Sequence, residues 1–425
     1  MLGRAAQNIG QTTYPLEGRE LLGVGNGLIG TMTAVGGLVG VAMAFTVAAR
    51  VTPANALRML AVGQAMVLAA FVAFALPGGG TASLWIGAVL VWAGGGLVFP
   101  ATMTAVGTGG TGNPSRAVAV YAVGLSIGLT GGPLLEAGVL PLLSESLRAT
   151  FAALLPLPAA ATVLSLVGAA ASCDRGARDR GTRDRGTRHG PSTEREDGLA
   201  HPPGPAVVPP PPASGLRDAV PARHPRLLQL PPFRLALGVM LTYQAPFSAL
   251  VAFGGLLAAR ADGATSSGVE IGFAVFYAVS LLVRLLVVRL SPIRSLRSAL
   301  AASIVATTVG VALLGTAHQY ALLVIGMGIL GAPHGLTFPL ATSILAEHVD
   351  HDTLGRANAR LMASTDSAAV VVPLLCGWVA TAVGYRGTFL FVELPVALFG
   401  AFLVVQLVAV PRWAQPASHV AARTG

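Results

Sequence analysis

SLWIGAVLVWAGGGLVFPATMTAVG, residues 83–107, runs for twenty-five positions without a charged side chain. A helix rises 1.5 Å per residue and the hydrocarbon layer of a bilayer is about 30 Å thick, so roughly 20 apolar residues cross it. Ten further apolar blocks fit the same description, at about 21–49, 59–76, 117–140, 149–171, 233–260, 270–290, 298–316, 320–346, 357–380 and 387–411. Composition agrees: of 425 residues 53% are hydrophobic and only 11% charged, with a mean hydropathy of +0.70. An average soluble domain carries about 25% charged residues. The chain is therefore expected as an all-α membrane protein of about eleven transmembrane helices.

The net charge of +9 does not indicate a nucleic-acid partner. All 27 basic residues are Arg; ten lie in one linker and most others at the ends of apolar blocks. Such charges set topology and form no groove for phosphate. Arg50, Arg58, Arg116, Arg289, Arg294, Arg297, Arg356, Arg360, Arg412 and the linker fall on one side, which the positive-inside rule makes cytoplasmic. Linker and C-terminus are then inside and Met1 outside, in a multi-pass protein of the cytoplasmic membrane. Cys173 and Cys376 stand alone, so no disulfide or metal site is expected. Gly25-Asn26-Gly27-Leu28-Ile29-Gly30 fits a dinucleotide-binding spacing, but no strand precedes it, and no cofactor or enzymatic machinery is expected.

The chain is written twice. Gly96-Leu97-Val98-Phe99-Pro100 matches Gly335-Leu336-Thr337-Phe338-Pro339, Ser115-Arg116-Ala117 matches Gly355-Arg356-Ala357, and Pro133-Leu134-Leu135 matches Pro373-Leu374-Leu375, at an offset of 239 or 240 residues. Two parallel helical bundles joined by a linker suit a transporter whose substrate sits between rocking halves. The expected divisions are 1–171, with five spans, the linker 172–232, and the six-helix bundle 233–425. The linker holds three Asp-Arg-Gly-x-Arg pentads, Asp174–Arg178, Asp179–Arg183 and Asp184–Arg188, then a Pro-rich run from Pro202 to Pro212. Charge, Gly and Pro bury little apolar surface, and a disordered or extended segment is expected. The repeat leaves the first half one helix short. Residues 1–20, with Arg4, Glu17, Arg19 and Glu20, read as the tail of a missing first helix and the following loop, from a start upstream of Met1 or a truncated form.

At this point the residues resemble the major facilitator superfamily, normally two six-helix halves with a cytoplasmic middle loop. Gly128-Leu129-Thr130-Gly131-Gly132-Pro133 is similar to the Gly-x-x-x-Gly-Pro motif of its exporters. Gly355-Arg356-Ala357-Asn358, Asp366, Pro373 and Gly384-Tyr385-Arg386-Gly387-Thr388-Phe389 look like a subset of bacterial efflux members. The family's Asp-containing loop is reduced to Arg50–Arg58 without its Asp, and Glu136-Ala137 replaces the Gly-Gly that usually follows the exporter motif. The resemblance implies a proton-coupled secondary transporter, working by alternating access, that exports a small organic solute. Its expected partners are that solute, protons and the lipid bilayer, and it is expected as a monomer. Uptake of a small organic anion, or a degenerate sensor or scaffold that does not transport, are the alternatives.

An ionisable side chain in hydrocarbon costs a few kcal/mol or more, so each is a functional candidate. Asp366 is near mid-membrane and suits proton binding and release, or else locks packing by a bond to a Ser or Thr. Arg284 can hold an anionic solute or balance a carboxylate, or else snorkels to the headgroups. Glu136 lies near the outer end of its helix, where a carboxylate can reach water. His334, Tyr243, Gln244 and Tyr277 are candidate cavity groups; a helical His also serves packing, and Tyr also anchors at interfaces. Gly128, Gly132 and Pro133, with Arg116 and Arg356, are motif positions: the glycines allow close helix contact and the proline a kink.

Overall fold

Hydrocarbon offers no partner for a backbone amide, so an apolar block closes its own hydrogen bonds as a helix. In the computed structural model, which describes residues 1–47, 50–108, 114–187, 227–289, 296–349 and 351–409, the described residues are helical apart from turns and one isolated bridge between Asp262 and Gln319. The helices before the linker are α1 (Leu2–Glu20), α2 (Asn26–Thr46), α3 (Ala56–Ala75), α4 (Gly80–Thr108), α5 (Pro114–Val139), the short α6 (Leu147–Ala153) and α7 (Pro156–Thr187). After it come α8 (Pro231–Ala249), which runs through a π turn at Leu250–Gly254 into α9 (Gly255–Ala258), then α10 (Ser266–Arg289), α11 (Leu296–Thr316) and α12 (Tyr320–His348). The last helical stretch is broken at Gly384, whose φ of 75° suits glycine, into α13 (351–383) and α14 (385–409).

Ten helical stretches among the described residues are long and apolar enough to cross a membrane, the last of them divided in two at Gly384, and the polar α1 stands among them. The protein is a multi-pass membrane protein. Two expectations need correction. Residues 2–20 are one 19-residue helix, α1, and not a helix tail running into a loop. Its polar residues are enclosed by other helices: Gln7, Asn8, Thr12, Thr13 and Glu17 are all buried. The linker expectation also fails at its start, because α7 stays helical to Thr187. Each pentad sets an Asp four residues before an Arg, a spacing that supports a helix. Residues 188–226, with the Pro-rich run, lie outside the described residues.

The repeated anchors occupy equivalent places. Gly96 of α4 lies against the Gly40 carbonyl of α2, and Gly335 of α12 lies against the Ser280 carbonyl of α10. Pro133 and Pro373 fall on α5 and α13, the helices that carry the seams between the halves: α5 packs on α10 and α13 on α2. At the second seam Gly30, next to Pro373 and Gly377, lets the backbones meet, and a Cβ on Gly377 would lie 2.8 Å from the Asn26 carbonyl. Gly128 and Gly132 instead receive α1, at Met1 and Ala5. Arg356 is exposed at the linker end of α13, and the side chain of Arg116 lies outside the described residues.

The end of the bundle away from the linker is fastened across both seams. Ser144 and Glu145 adopt positive φ of 56° and 59°, a conformation that costs a non-glycine residue energy. It places the Glu145 carboxylate over the start of α10, where Ser267 donates to it from N at 2.8 Å and from Oγ at 2.9 Å. A carboxylate there satisfies a free amide and complements the helix dipole. At the other seam Tyr385 donates to Asn26 Oδ1 at 2.7 Å, and Asn26 Nδ2 to the Ala380 carbonyl at 3.2 Å. Arg260 and Glu20 form an exposed ion pair at 3.3 Å. Gly377→Leu should push α2 and α13 apart at a cost of about 1–3 kcal/mol. A melting temperature several degrees below wild type in detergent is the expected result.

Candidate functional site

Arg4, Gln7, Asn8 and Gln11 fall at spacings of three, one and three residues, which is one face of an α-helix. In α1 this face lines a cavity of about 280 Å³ between the halves, close to the lower end of the usual 300–1,000 Å³ range for ligand pockets. From the first half Trp92 and Phe99 of α4 join it, and glycines Gly37 and Gly40 keep the wall of α2 low. The second half contributes Gln244, Phe247 and Ser248 of α8, Tyr277 of α10, His334 of α12 and Asp366 of α13. The cavity has apolar walls with a few amides and charges, the mixture from which a selective pocket for a polar solute is made.

The charges are unevenly placed. Arg4 of α1 donates from Nη1 to Gln7 Oε1 at 2.7 Å, while its buried Nε has no acceptor. Arg284 of α10 spans the seam, donating from Nη1 to Ser126 Oγ of α5 at 3.0 Å and from Nη2 toward the His334 carbonyl at 3.5 Å. The two guanidinium groups come from opposite halves, Arg4 in the cavity wall and Arg284 beside His334, which also lines the cavity. Among the described residues the ion pairs are Arg148–Glu17 and Arg260–Glu20, and neither Arg4 nor Arg284 is in one. Arg cannot discharge by losing its proton. A half-buried guanidinium without a counter-charge is costly, and a bound anion lowers that cost.

Asp366 lines the cavity on α13, half-buried, beside Ala369 and Pro373 and across from Gly37 of α2. His334 stands among four aromatic rings: Phe247 at 4.6 Å, Phe276 at 5.1 Å, Tyr243 at 5.6 Å and Tyr277 at 5.8 Å between centroids. Packing and cavity roles therefore coincide at this residue. Of the residues singled out in the sequence, Asp366, His334, Gln244 and Tyr277 meet at the cavity. Tyr243 does not: it is buried behind His334, with its hydroxyl unpartnered. Arg284 stands at the seam next to the cavity. Glu136, expected within reach of water, is 0% exposed, and both its carboxylate oxygens face Thr13 Oγ1 at 2.9 Å. The helix bends no carboxylate out to the headgroups here, because α1 covers it.

Sequence reading missed Arg4, Gln7, Asn8 and Gln11, although their helical spacing was there to be found. It also missed Trp92, and Glu270 of α10, which is 0% exposed.

A sequence profile of the Major Facilitator Superfamily matches residues 235–423. No curated protein sequence matches the chain. Among solved structures, a mutant of the peptide transporter POT is similar, with a TM-score of 0.69 at 13% identity over 97% of this chain and 93% of that one. A bacterial homologue of the human lysosomal transporter Spinster, in an inward-facing and unoccupied conformation, gives 0.65 at 12% identity over 98% and 96%. A mutant of the nucleoside transporter NupG gives 0.61 at 12% identity over 96% and 100%. Identities this low speak for the fold alone, which here is shared from end to end. Residues 235–423 thus carry the sequence pattern of the Major Facilitator Superfamily, and the whole chain shares its fold with these three solved transporters.

Proposed function

We propose that this secondary transporter moves a small organic anion by alternating access and exports it in exchange for protons that bind at Asp366. The observation that carries the reading is the pair Arg4 and Arg284, unpaired cations from opposite halves beside one cavity. An anion lodged between them would neutralise both charges and tie the halves together, which couples occupancy to closure. The amides of Gln7, Asn8, Gln11 and Gln244 supply donors and acceptors for its uncharged polar groups. Asp366, on the α13 wall, is the ionisable carboxyl of the cavity and the natural proton carrier.

Export follows from the exporter-like Gly128–Pro133 motif and is favoured by physics. An anion leaving and a proton entering both run with a negative-inside potential, about 2.3 kcal/mol per charge per 100 mV. The neighbours' peptide and nucleoside substrates are named for those proteins and do not choose among solutes here. That α1 lines the cavity supports transport over the sensor or scaffold alternative.

Inside-out vesicles with an acid lumen, given labelled mono- and dicarboxylates in the outer medium, test the proposal. Accumulation is expected for at least one anion, and Arg4→Gln and Arg284→Gln should each lower kcat/KM roughly tenfold to a hundredfold. If both variants carry the anion as wild type does, or if only cations and neutral solutes accumulate, the reading is wrong. Asp366→Asn should abolish accumulation driven by the pH gradient while leaving anion–anion exchange intact. Binding itself should quench the fluorescence of Trp92, and Trp92→Phe should remove most of that change.

A further inference from the structure

Away from the cavity, toward the fastened end, the packed helices α5 and α10 each bury one carboxyl group. Glu136 comes from the first half and Glu270 from the second, and both are fully buried. They lie between two contacts that join the same pair of helices, Arg284 to Ser126 on the cavity side and Glu145 to Ser267 at the end. Thr13 of α1 turns its hydroxyl to Glu136, but neither oxygen of Glu270 receives a hydrogen bond from any donor among the described residues. An ionised carboxylate only accepts, so two of them can be joined only by a proton carried on one. The geometry points to a proton-binding site shared by Glu136 and Glu270, which latches the two halves together at the end of the bundle opposite the linker.

The surroundings leave the proton as the group that can neutralise the pair. From α1, Glu17 lies one turn beyond Thr13 and is taken up by Arg148 of the α6 start at 3.3 Å. From α10, Tyr277 lies two turns away on the cavity side, and from α12 the Tyr320 hydroxyl donates to the Gly268 carbonyl at 2.6 Å. Glu145, at the end of α5, is committed to Ser267. The segment Leu250–Ala258 brings no ionisable side chain. Among the described residues no ion pair includes Glu136 or Glu270. With the shared proton the seam is neutral and joined; without it two like charges face each other in a dry interface and drive α5 from α10. The site is separate from Asp366 and does not depend on which solute the cavity holds. It makes closure at this end depend on the acidity of the water that reaches the seam when it opens.

Spin labels at Leu142→Cys and Asp262→Cys, on exposed turns of opposite halves, in the full chain with Cys173→Ser and Cys376→Ala, report that seam without any solute. Between about pH 5 and about pH 9 the long-distance population should grow several-fold as the shared proton is lost. Glu270→Gln and Glu136→Gln each put a permanent amide donor in place of the proton, and each should hold the short distance at both pH values. A distribution that does not move with pH in the wild type, or a Gln variant that keeps the wild-type response, overturns the proposal. Should a Gln variant not fold, infrared spectra of the wild type and of the remaining variant decide. A protonated-carboxyl band present in Asp366→Asn protein and lost on adding Glu136→Gln or Glu270→Gln supports the shared proton, and its persistence refutes it.

Discussion

A polar helix can stand inside a membrane only where other helices keep its side chains from lipid, and α1 is such a helix. Its seven polar or charged residues from Arg4 to Glu17 must find partners within the protein, because hydrocarbon supplies none. Gly128 and Gly132 of α5 let it approach to backbone contact. Thr13 and Asn8 then reach α5, at the Glu136 carboxylate and the Leu129 carbonyl. The face left over, Arg4 through Gln11, has no helix to cover it and becomes a wall of the cavity. The cavity follows from enclosing this helix.

The same enclosure explains why glycine is so frequent at the seams. Two halves that rock against each other need contacts that are close yet shallow, and backbone laid on backbone meets both needs. Gly30 against Gly377 provides this at α2–α13. The α5–α10 seam is of another kind: Arg284 to Ser126 near the cavity, the buried Glu136 and Glu270 beyond it, Glu145 to Ser267 at the end. One seam is therefore set by shape and the other by charge and protons. A protein built this way can hinge at the first while the second decides when.

Much of the fold could be read from hydropathy and repetition, since both report directly on burial in lipid. The eleven apolar blocks fall on ten membrane-length helical stretches, the last divided at Gly384, and the anchors Gly96 and Gly335 came to rest in equivalent helix contacts, each against a carbonyl of the helix two before it. The polar helix escaped that reading because hydropathy assumes that a spanning segment faces lipid. The pentads near 174–187 escaped because composition was weighed there and i,i+4 charge spacing was not.

The sequence by itself determined the membrane class, the two-fold plan and the ionisable residues available for work, Asp366, Arg284 and Glu136 among them. Each depends on local composition or fixed spacing, which a linear reading retains. Only the tertiary structure decided which of these groups share a space. Arg4 and Arg284 lie 280 residues apart and Glu136 and Glu270 134 residues apart in the chain, yet the meeting of the two halves brings the members of each pair to one region of the fold. Whether a buried charge is compensated depends on what lies opposite it across that seam, and that is a property of packing which no stretch of sequence contains.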